Sequence, residues 1–458
     1  MTDQAIGTQA QLSIDELREQ VAAGKIDTVV VAITDSLGRL QGKRCGARSF
    51  LEDVLGHGAE GCNYLLSVDV EMNTIDGYAM SSWENGYGDM VMRPDVSTLR
   101  LVPWLPGTAM IQCDILWPDG RPVSQSPRQI LRAQIERLEA MGYRAHIGTE
   151  LEFIMFDDTY EEAWKTNYEG LTPSTRYNID YSLLATAKLE PVIRSIRTGM
   201  EKAGLIVESS KGECNYGQQE ITFRYAQALT ACDNHAFYKN GAKEIAAQQG
   251  KSITFMAKYN EREGNSCHIH FSLTDLDGKP VLAGDREHGF SPVMEHFIAG
   301  QLASLKEMAY FVAPNINSYK RFVEGSFAPT AIAWGLDNRS CALRVVGHGA
   351  GLRVENRVGG GDVNPYLAAA ALIAAAIHGI ENELTLEAVT QGSAYQSEAD
   401  RIPTNLRDSR ELLAASEIAR KSFGDEVVDH YVHAAGVELK AYDSAVTDWE
   451  RRRVFERL

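Results

Sequence analysis

Three segments of this chain alternate ionisable and apolar residues with the two-residue period of a β-strand: GTELEF around Glu150 and Glu152, HIHFSL around His268 and His270, and RVENRV around Glu355. Successive side chains of a strand point to opposite faces, so Glu150 shares a face with Glu152, His268 with His270 and Ser272, and Glu355 with Arg353 and Arg357. Two further acids, Glu213 and Glu220, flank Gly217 in ECNYGQQEITF, where a hairpin turn would return both to one region. One such pair alone reads as a solvated strand face. Five acids with a histidine among them do not, because buried carboxylates at this density repel one another and lose their hydration, and several would protonate unless a cation neutralised them. The set therefore asks for two or more divalent ions. Oxygen-dominated ligands with one imidazole suit Mg²⁺ or Mn²⁺, and Cys267 beside His268 reads as core packing.

The remaining composition narrows the class. A chain of 458 residues, 44% hydrophobic, can bury a large core and more than one structural unit. A formal charge of −17 argues against a nucleic-acid partner. Seven cysteines without a CxxC pair fit reduced thiols, and no structural zinc is implied. MTDQAIGTQAQ at the start reads as neither a secretory signal nor an anchor, and the apolar run Tyr366 to Ile380 is too short to span a bilayer, so a cytoplasmic protein without membrane partners is expected.

Ser13 with Glu16 predicts a capped short helix closed by Gly24, then a strand Thr28 to Ile33 and a hairpin at DSLGR. Strand-like runs follow at Tyr64 to Val70, Met90 to Met92, Leu99 to Val102 and Met110 to Leu116, a small mixed sheet with little helix. From Ser126-Pro127 onward, strands and long helices alternate: a helix to Gly142, a strand Tyr143 to Phe156, a helix Leu189 to Ala203, a strand Leu205 to Ser209 and a helix Asp233 to Gln249. The expected organisation is α+β, with one unit over residues 1–115 and a larger catalytic unit over 116–458.

Five arginines, Arg321, Arg339, Arg344, Arg353 and Arg357, crowd the same stretch as the later acids. Guanidinium groups match carboxylate and phosphate oxygens bidentately and stay charged. Metals with arginines describe phosphoryl transfer, which needs charge neutralisation and alignment more than covalent help. No P-loop motif is present, so a nucleotide must be held in another way.

At this point GTELEF, GECNYGQQEITF, TFMAK, HIHFSL, NSYKRF, NRSCALRV, RVENRV and NPYLAAAALIAAAIHGI, in that order, make the chain resemble the type I glutamine synthetases over nearly its whole length. The resemblance implies an N-terminal β-grasp domain, a catalytic domain with a curved antiparallel sheet flanked by helices, and a homo-dodecamer of two hexameric rings with active sites between subunits. It implies ATP, glutamate and an amine as reactants, joined through a γ-glutamyl phosphate. By position, Glu152, Glu213 and Glu220 would hold one metal and Glu150, His268 and Glu355 the other. Arg321 and Arg357 would grip glutamate, with Gly264 in the loop near its amino group. Arg339 would steady the phosphoryl group, and Arg344, Arg353, His270, Ser272 and Tyr225 would serve ATP.

The departures concern the amine. Where the family carries a flap glutamate after NSYKR, this chain reads EGSFAP, with Phe327 in that place. A phenyl ring removes the counter-charge for ammonium and supplies surface suited to carbon. The family's DGSS segment is absent, and Asp69 in SVDVEMN is its nearest counterpart; Asp69 or Glu213 would be the general base. These changes resemble the γ-glutamylethanolamide and γ-glutamylpolyamine synthetase branch. The expected reaction is γ-glutamyl amide formation with a small amine, ethanolamine ahead of polyamines. A polyamine would need acidic partners such as Glu324 and Glu71. A glutamine synthetase using ammonium, and a catalytically silent binding protein, are the alternatives.

Overall fold

The computed structural model describes residues 12–458; the polar N-terminal stretch MTDQAIGTQAQ lies outside them. The helix Ile14–Ala22 starts with the expected capping box, in which the Ser13 and Glu16 side chains each satisfy the other's backbone N–H. A first sheet follows, made of β1 (Thr28–Thr34), β2 (Leu40–Gly46), β3 (Ala59–Cys62), β4 (Asp89–Pro94), β5 (Arg100–Leu101) and β6 (Thr108–Leu116). Its order is β2-β1-β6-β4-β3 with β5 on β6, and it is mixed because β1 runs parallel to β6. The β1–β2 turn is held by Asp35, whose carboxylate accepts from the backbone of Leu37 and Arg39. Val29, Val31, Phe50, Met90, Ile111 and Ile115 pack beneath the sheet as one apolar cluster.

The expected strand over Tyr64 to Val70 is instead a 3₁₀ turn at Asn63–Leu66 leading into a loop. Polar anchors override the apolar run: the Asn63 side chain donates to the Met80 carbonyl, and the Ser67 hydroxyl pairs with that of Ser81.

The second sheet holds nine strands: β7 (Tyr143–Phe156), β8 (Val207–Gly212), β9 (Gln218–Phe223), β10 (Ala226–Gln227), β11 (Ser252–Thr254), β12 (Cys267–Asp275), β13 (Trp334–Leu336), β14 (Leu343–Val346) and β15 (Arg353–Asn356). The order is β13-β14-β15-β12-β7-β9-β8, with β10 and β11 on β7, antiparallel except for the β13–β14 pair at the edge. Helices Pro127–Ala140, Glu190–Lys202, Ala228–Gln248 and Pro365–Glu381 surround its apolar face. Ser126 stands at the N-cap as expected, although its side chain makes no cap bond there; Pro127 sets the first turn.

Leu151, Phe153, Ile269, Phe271, Leu273 and Val354 point into the helices as one core with Ile196, Phe237 and Ile377. The helix Pro365–Glu381 is buried along almost its whole length, as its alanine-rich run requires. It crosses Pro292–Leu305 so closely that a Cβ on Gly300 would meet the Ala375 carbonyl at 2.2 Å. Among the described residues no helix is long and apolar enough to cross a membrane.

A buried ion network joins the two sheets. Arg128 pairs with Asp95 at 2.7 Å and with Asp114 from the first sheet, and with Asp233 at 2.9 Å from the helix Ala228–Gln248. Gln112 donates to the Asp233 carbonyl at 2.9 Å. Because one face of the second sheet is sealed by helices, the polar side chains of β7, β9, β12 and β15 are left on the other, which stays open.

Candidate active site

On that open face β7 lies between β12 and β9, and the register decides which acids meet. Glu150 faces His268 across the β7–β12 pairing, and Glu152 faces Glu220 across β7–β9. His270 pairs with Glu355 across β12–β15. Gly217, at φ +76°, turns β8 back into β9, where a Cβ would strike the Met155 carbonyl at 2.4 Å. The turn brings Glu213 beside Glu220.

Two ligand triads result, each with donor atoms lying within 4.8 Å of one another: Glu150, His268 and Glu355, and Glu152, Glu213 and Glu220. They differ in electrostatics. In the first, burial pushes Glu150 up, but hydrogen bonds from His268 and His270 outweigh it and hold the carboxyl well below its usual range. Glu355 is likewise lowered against its burial by His268 and Arg357. Arg344 donates to Glu355 at 2.8 Å, and Arg357 holds the other oxygen. His268 is pushed down by burial and by Arg357, which leaves a neutral imidazole suited to ligation.

In the second triad burial and the neighbouring Glu152 raise Glu213 to about 8, even though Lys211 is paired with it. Burial and the charges of Glu152 and Glu150 raise Glu220 to about 9. Three carboxylates therefore cannot all ionise at neutral pH without a cation. This all-oxygen set fits a hard divalent ion. Glu152 is already aimed: both of its oxygens accept, from the Ser266 N–H at 2.7 Å, the Ser266 hydroxyl at 2.6 Å and the Gln218 amide at 2.9 Å.

The triads line a cavity of about 320 Å³ that also includes Gly264, Arg321, Phe327, Arg339, Arg344 and Arg357. A second cavity, about 300 Å³, is lined by Tyr225, His270, Ser272, Arg353 and Gly148. Glu150 belongs to both walls.

A family model described as the catalytic domain of glutamine synthetase matches residues 124–454. The chain belongs to the glutamine synthetase family. It is 62% identical over 447 residues to gamma-glutamylethanolamide synthetase GlnA4 of Streptomyces coelicolor, covering 98% of this chain and 96% of that protein. It is 37% identical to a glutamate–isopropylamine ligase of a Pseudomonas species, covering 96% and 97% of the two chains. The solved structure of apo GmaS without ligand superposes with a TM-score of 0.84 at 28% identity, over 95% of this chain and 98% of that one.

Within this glutamine synthetase fold the arginines occupy distinct stations. Arg321 is fully buried, lowered to about 10 by that burial, and donates to the Val358 and Arg357 carbonyls at 2.9 Å each. Among the described residues the buried Arg357 Nε–H has no hydrogen-bond partner, which leaves it a donor available to an incoming anion. Arg339 stands exposed on the cavity wall. Arg353 donates from Nε to His270 Nδ1 at 3.2 Å, so His270 Nε2 carries the proton it shares with Glu150 at 2.9 Å.

Arg344 lines the metal-triad cavity rather than the second cavity, because its guanidinium is taken by Glu355 and Asp337. Asp69 lines neither of these two cavities; its carboxylate accepts from Glu71 N–H at 3.0 Å and from Asn73. Glu324 is held by Gln396, and Glu71 lies in the Asp69 turn. Phe327 lines the cavity with 61% of its surface exposed and a left-handed φ of +60°. Lys211, Asp180 and Tyr181 also line the cavity and were not foreseen from the sequence, since nothing local marks a lysine two residues before a ligand as its ion-pair partner.

Proposed function

We propose that this chain is an ATP-dependent ligase that joins L-glutamate to a small organic amine, ethanolamine as the physiological acceptor, through a γ-glutamyl phosphate. The observation that carries the acceptor assignment is Phe327: an exposed ring on the wall of the cavity that holds both triads, where an ammonium-using family member carries a carboxylate. The 62% identity to a gamma-glutamylethanolamide synthetase supports the same reading.

Glu152, Glu213 and Glu220 would hold one Mg²⁺ or Mn²⁺, and Glu150, His268 and Glu355 a second. Bound there, the ions supply charge neutralisation for the transferring phosphoryl group. The chain does the rest. Tyr225, His270, Ser272 and Arg353 form the wall of the second cavity, which we assign to the nucleotide, and Glu150 at the shared boundary marks where its phosphates meet the glutamate. Arg321 and Arg357, with the backbone at Gly264, hold the glutamate carboxylates, and Arg339 reaches the phosphoryl oxygens from the rim. Arg344, bonded to Glu355, acts on the ligand triad and through it on the phosphates. Glu213 serves as base for the amine.

The chain is proposed to divide into units at 1–115 and 116–458, to act in the cytoplasm, and to assemble as a dodecamer of two hexameric rings. Asp69, which lines neither cavity, would then act on the site of a neighbouring copy.

The test is phosphate release by purified protein with ATP, Mg²⁺ and glutamate, compared across ammonium, ethanolamine, putrescine, spermidine and alkylamines. Ethanolamine should give the highest kcat/KM. A maximum with ammonium would reject the argument from Phe327, and a maximum with spermidine would move the chain to the polyamine branch.

A further inference from the structure

Three groups outside the two ligand triads converge at one point of the larger cavity. Lys211 Nζ, in contact with the Glu213 carboxylate, lies 3.5 Å from Asp180 Oδ1. It sits 4.6 Å from the centre of the Tyr181 ring. The loop carrying Asp180 and Tyr181 is built to lie there. The Asp180 N–H donates to the Asn178 side chain at 2.9 Å, and the Tyr181 N–H to the Gly212 carbonyl at 3.4 Å. Gly212 allows the approach, since a Cβ would meet the Ile179 carbonyl at 2.6 Å. Tyr181 takes a left-handed φ of +54°, which a bulky residue adopts only where its surroundings impose it.

The ε-ammonium of lysine is a primary alkylammonium. Two carboxylates at its sides and an aromatic face beneath it form a receptor for that chemical group, and here it is occupied by the chain's own copy. A divalent ion on Glu213 would repel Lys211, and the long flexible side chain can leave toward solvent. Asp180 and Tyr181, themselves exposed, would then be open to a free primary ammonium of the same kind.

We propose that Asp180, over the ring of Tyr181, anchors the protonated organic amine, and that Lys211 is a tethered ammonium that fills this place until the Glu152, Glu213 and Glu220 triad is loaded. The proposal rests on the amine-ligase reading above and supplies the anion that Phe327 took away from the flap. Asp180 is an anchoring and specificity-determining residue; no bond is made or broken on it.

Two readouts test it: steady-state phosphate release with ethanolamine, and equilibrium binding of ethanolammonium by ligand-observed NMR to Mg²⁺-loaded protein without nucleotide. Asp180→Asn removes the charge at nearly constant volume. It should raise both the KM for ethanolamine and its NMR Kd by about tenfold or more, the worth of one charge-assisted bond, with the KM values for ATP and glutamate and the melting temperature unchanged. Asp180→Glu should regain part of the loss. Lys211→Met keeps the stem without the ammonium and should tighten ethanolammonium binding in the metal-free protein.

Unchanged amine KM and Kd in Asp180→Asn, or equal rises in the KM of all three substrates, would overturn the proposal; weaker binding in Lys211→Met would overturn the stand-in role. If the native protein itself releases phosphate best with ammonium, the amine-ligase reading fails, and the NMR arm still judges Asp180 separately.

Discussion

The two ligand triads share a sheet face and a cavity yet solve the problem of buried charge in opposite ways. Glu150, His268 and Glu355 are balanced internally, by His270 and by Arg344 and Arg357, so their carboxylates stay ionised in the chain alone. Glu152, Glu213 and Glu220 have one lysine among three acids, and two of the acids are driven toward protonation. On the proposed assignment the first site is preformed for an ion, and an ion entering the second would also release protons.

Single neutralisations should separate the two most sharply. Glu355→Gln strands the buried Arg357, while Arg344 keeps Asp337, and should cost about 3–5 kcal/mol of stability, the range for breaking a buried pair. Glu220→Gln relieves repulsion instead, so it should leave the metal-free melting temperature equal or higher while lowering kcat by about a thousandfold, the loss expected when a metal's several kcal/mol of transition-state stabilisation disappears. Denaturant melts and phosphate-release kinetics on both variants check this, and a matching stability loss in the two would erase the distinction.

The next largest effect is on pH. Burial and the neighbouring carboxylates push Glu213 up to about 8 and Glu220 up to about 9 in the folded chain, above their unfolded range. The folded state therefore binds more protons than the unfolded one between roughly pH 4.5 and 9, and its stability falls as pH rises through that window. The metal-free protein should melt at progressively lower temperature from pH 5 to pH 9 on this account, and Mg²⁺ should flatten the trend. A metal-free melting temperature that rose steadily from pH 5 to pH 9 would contradict it.

Two smaller effects sharpen the picture. Ser266→Ala removes the hydroxyl that aims Glu152 but keeps the backbone donor, and should weaken Mg²⁺ about tenfold by titration calorimetry, with little change in fold. Phe327→Ala should raise the KM for ethanolamine severalfold and leave ATP binding unchanged. Ala carries the same left-handed penalty as Phe at φ +60°, so the change reports on the ring and not on relaxed backbone.

Much of this site was legible because strand alternation is a rule with a single period. GTELEF, HIHFSL and RVENRV each placed their ionisable residues on the face opposite Leu151, Ile269 and Val354, and the hairpin at Gly217 followed from its turn chemistry. Other features depended on distance along the chain. Tyr64 to Val70 looked like a strand because its apolar pattern was strand-like, but Asn63 and Ser67 found partners near Met80 and Ser81 that no local window contains. Arg344 and Arg353 looked equivalent in sequence; register assigns one to Glu355 and the other to His270. Asp180 and Lys211, 31 residues apart, meet only because Gly212 lets the intervening loop fold onto β8.

The most direct test of the unlike-triad description is a Mn²⁺ titration followed by electron paramagnetic resonance at pH 6.5 and pH 8.5. Two ions should bind per chain, one with affinity nearly independent of pH and one that tightens as Glu213 and Glu220 lose their protons. A single ion per chain, or two whose affinities move together with pH, would contradict it.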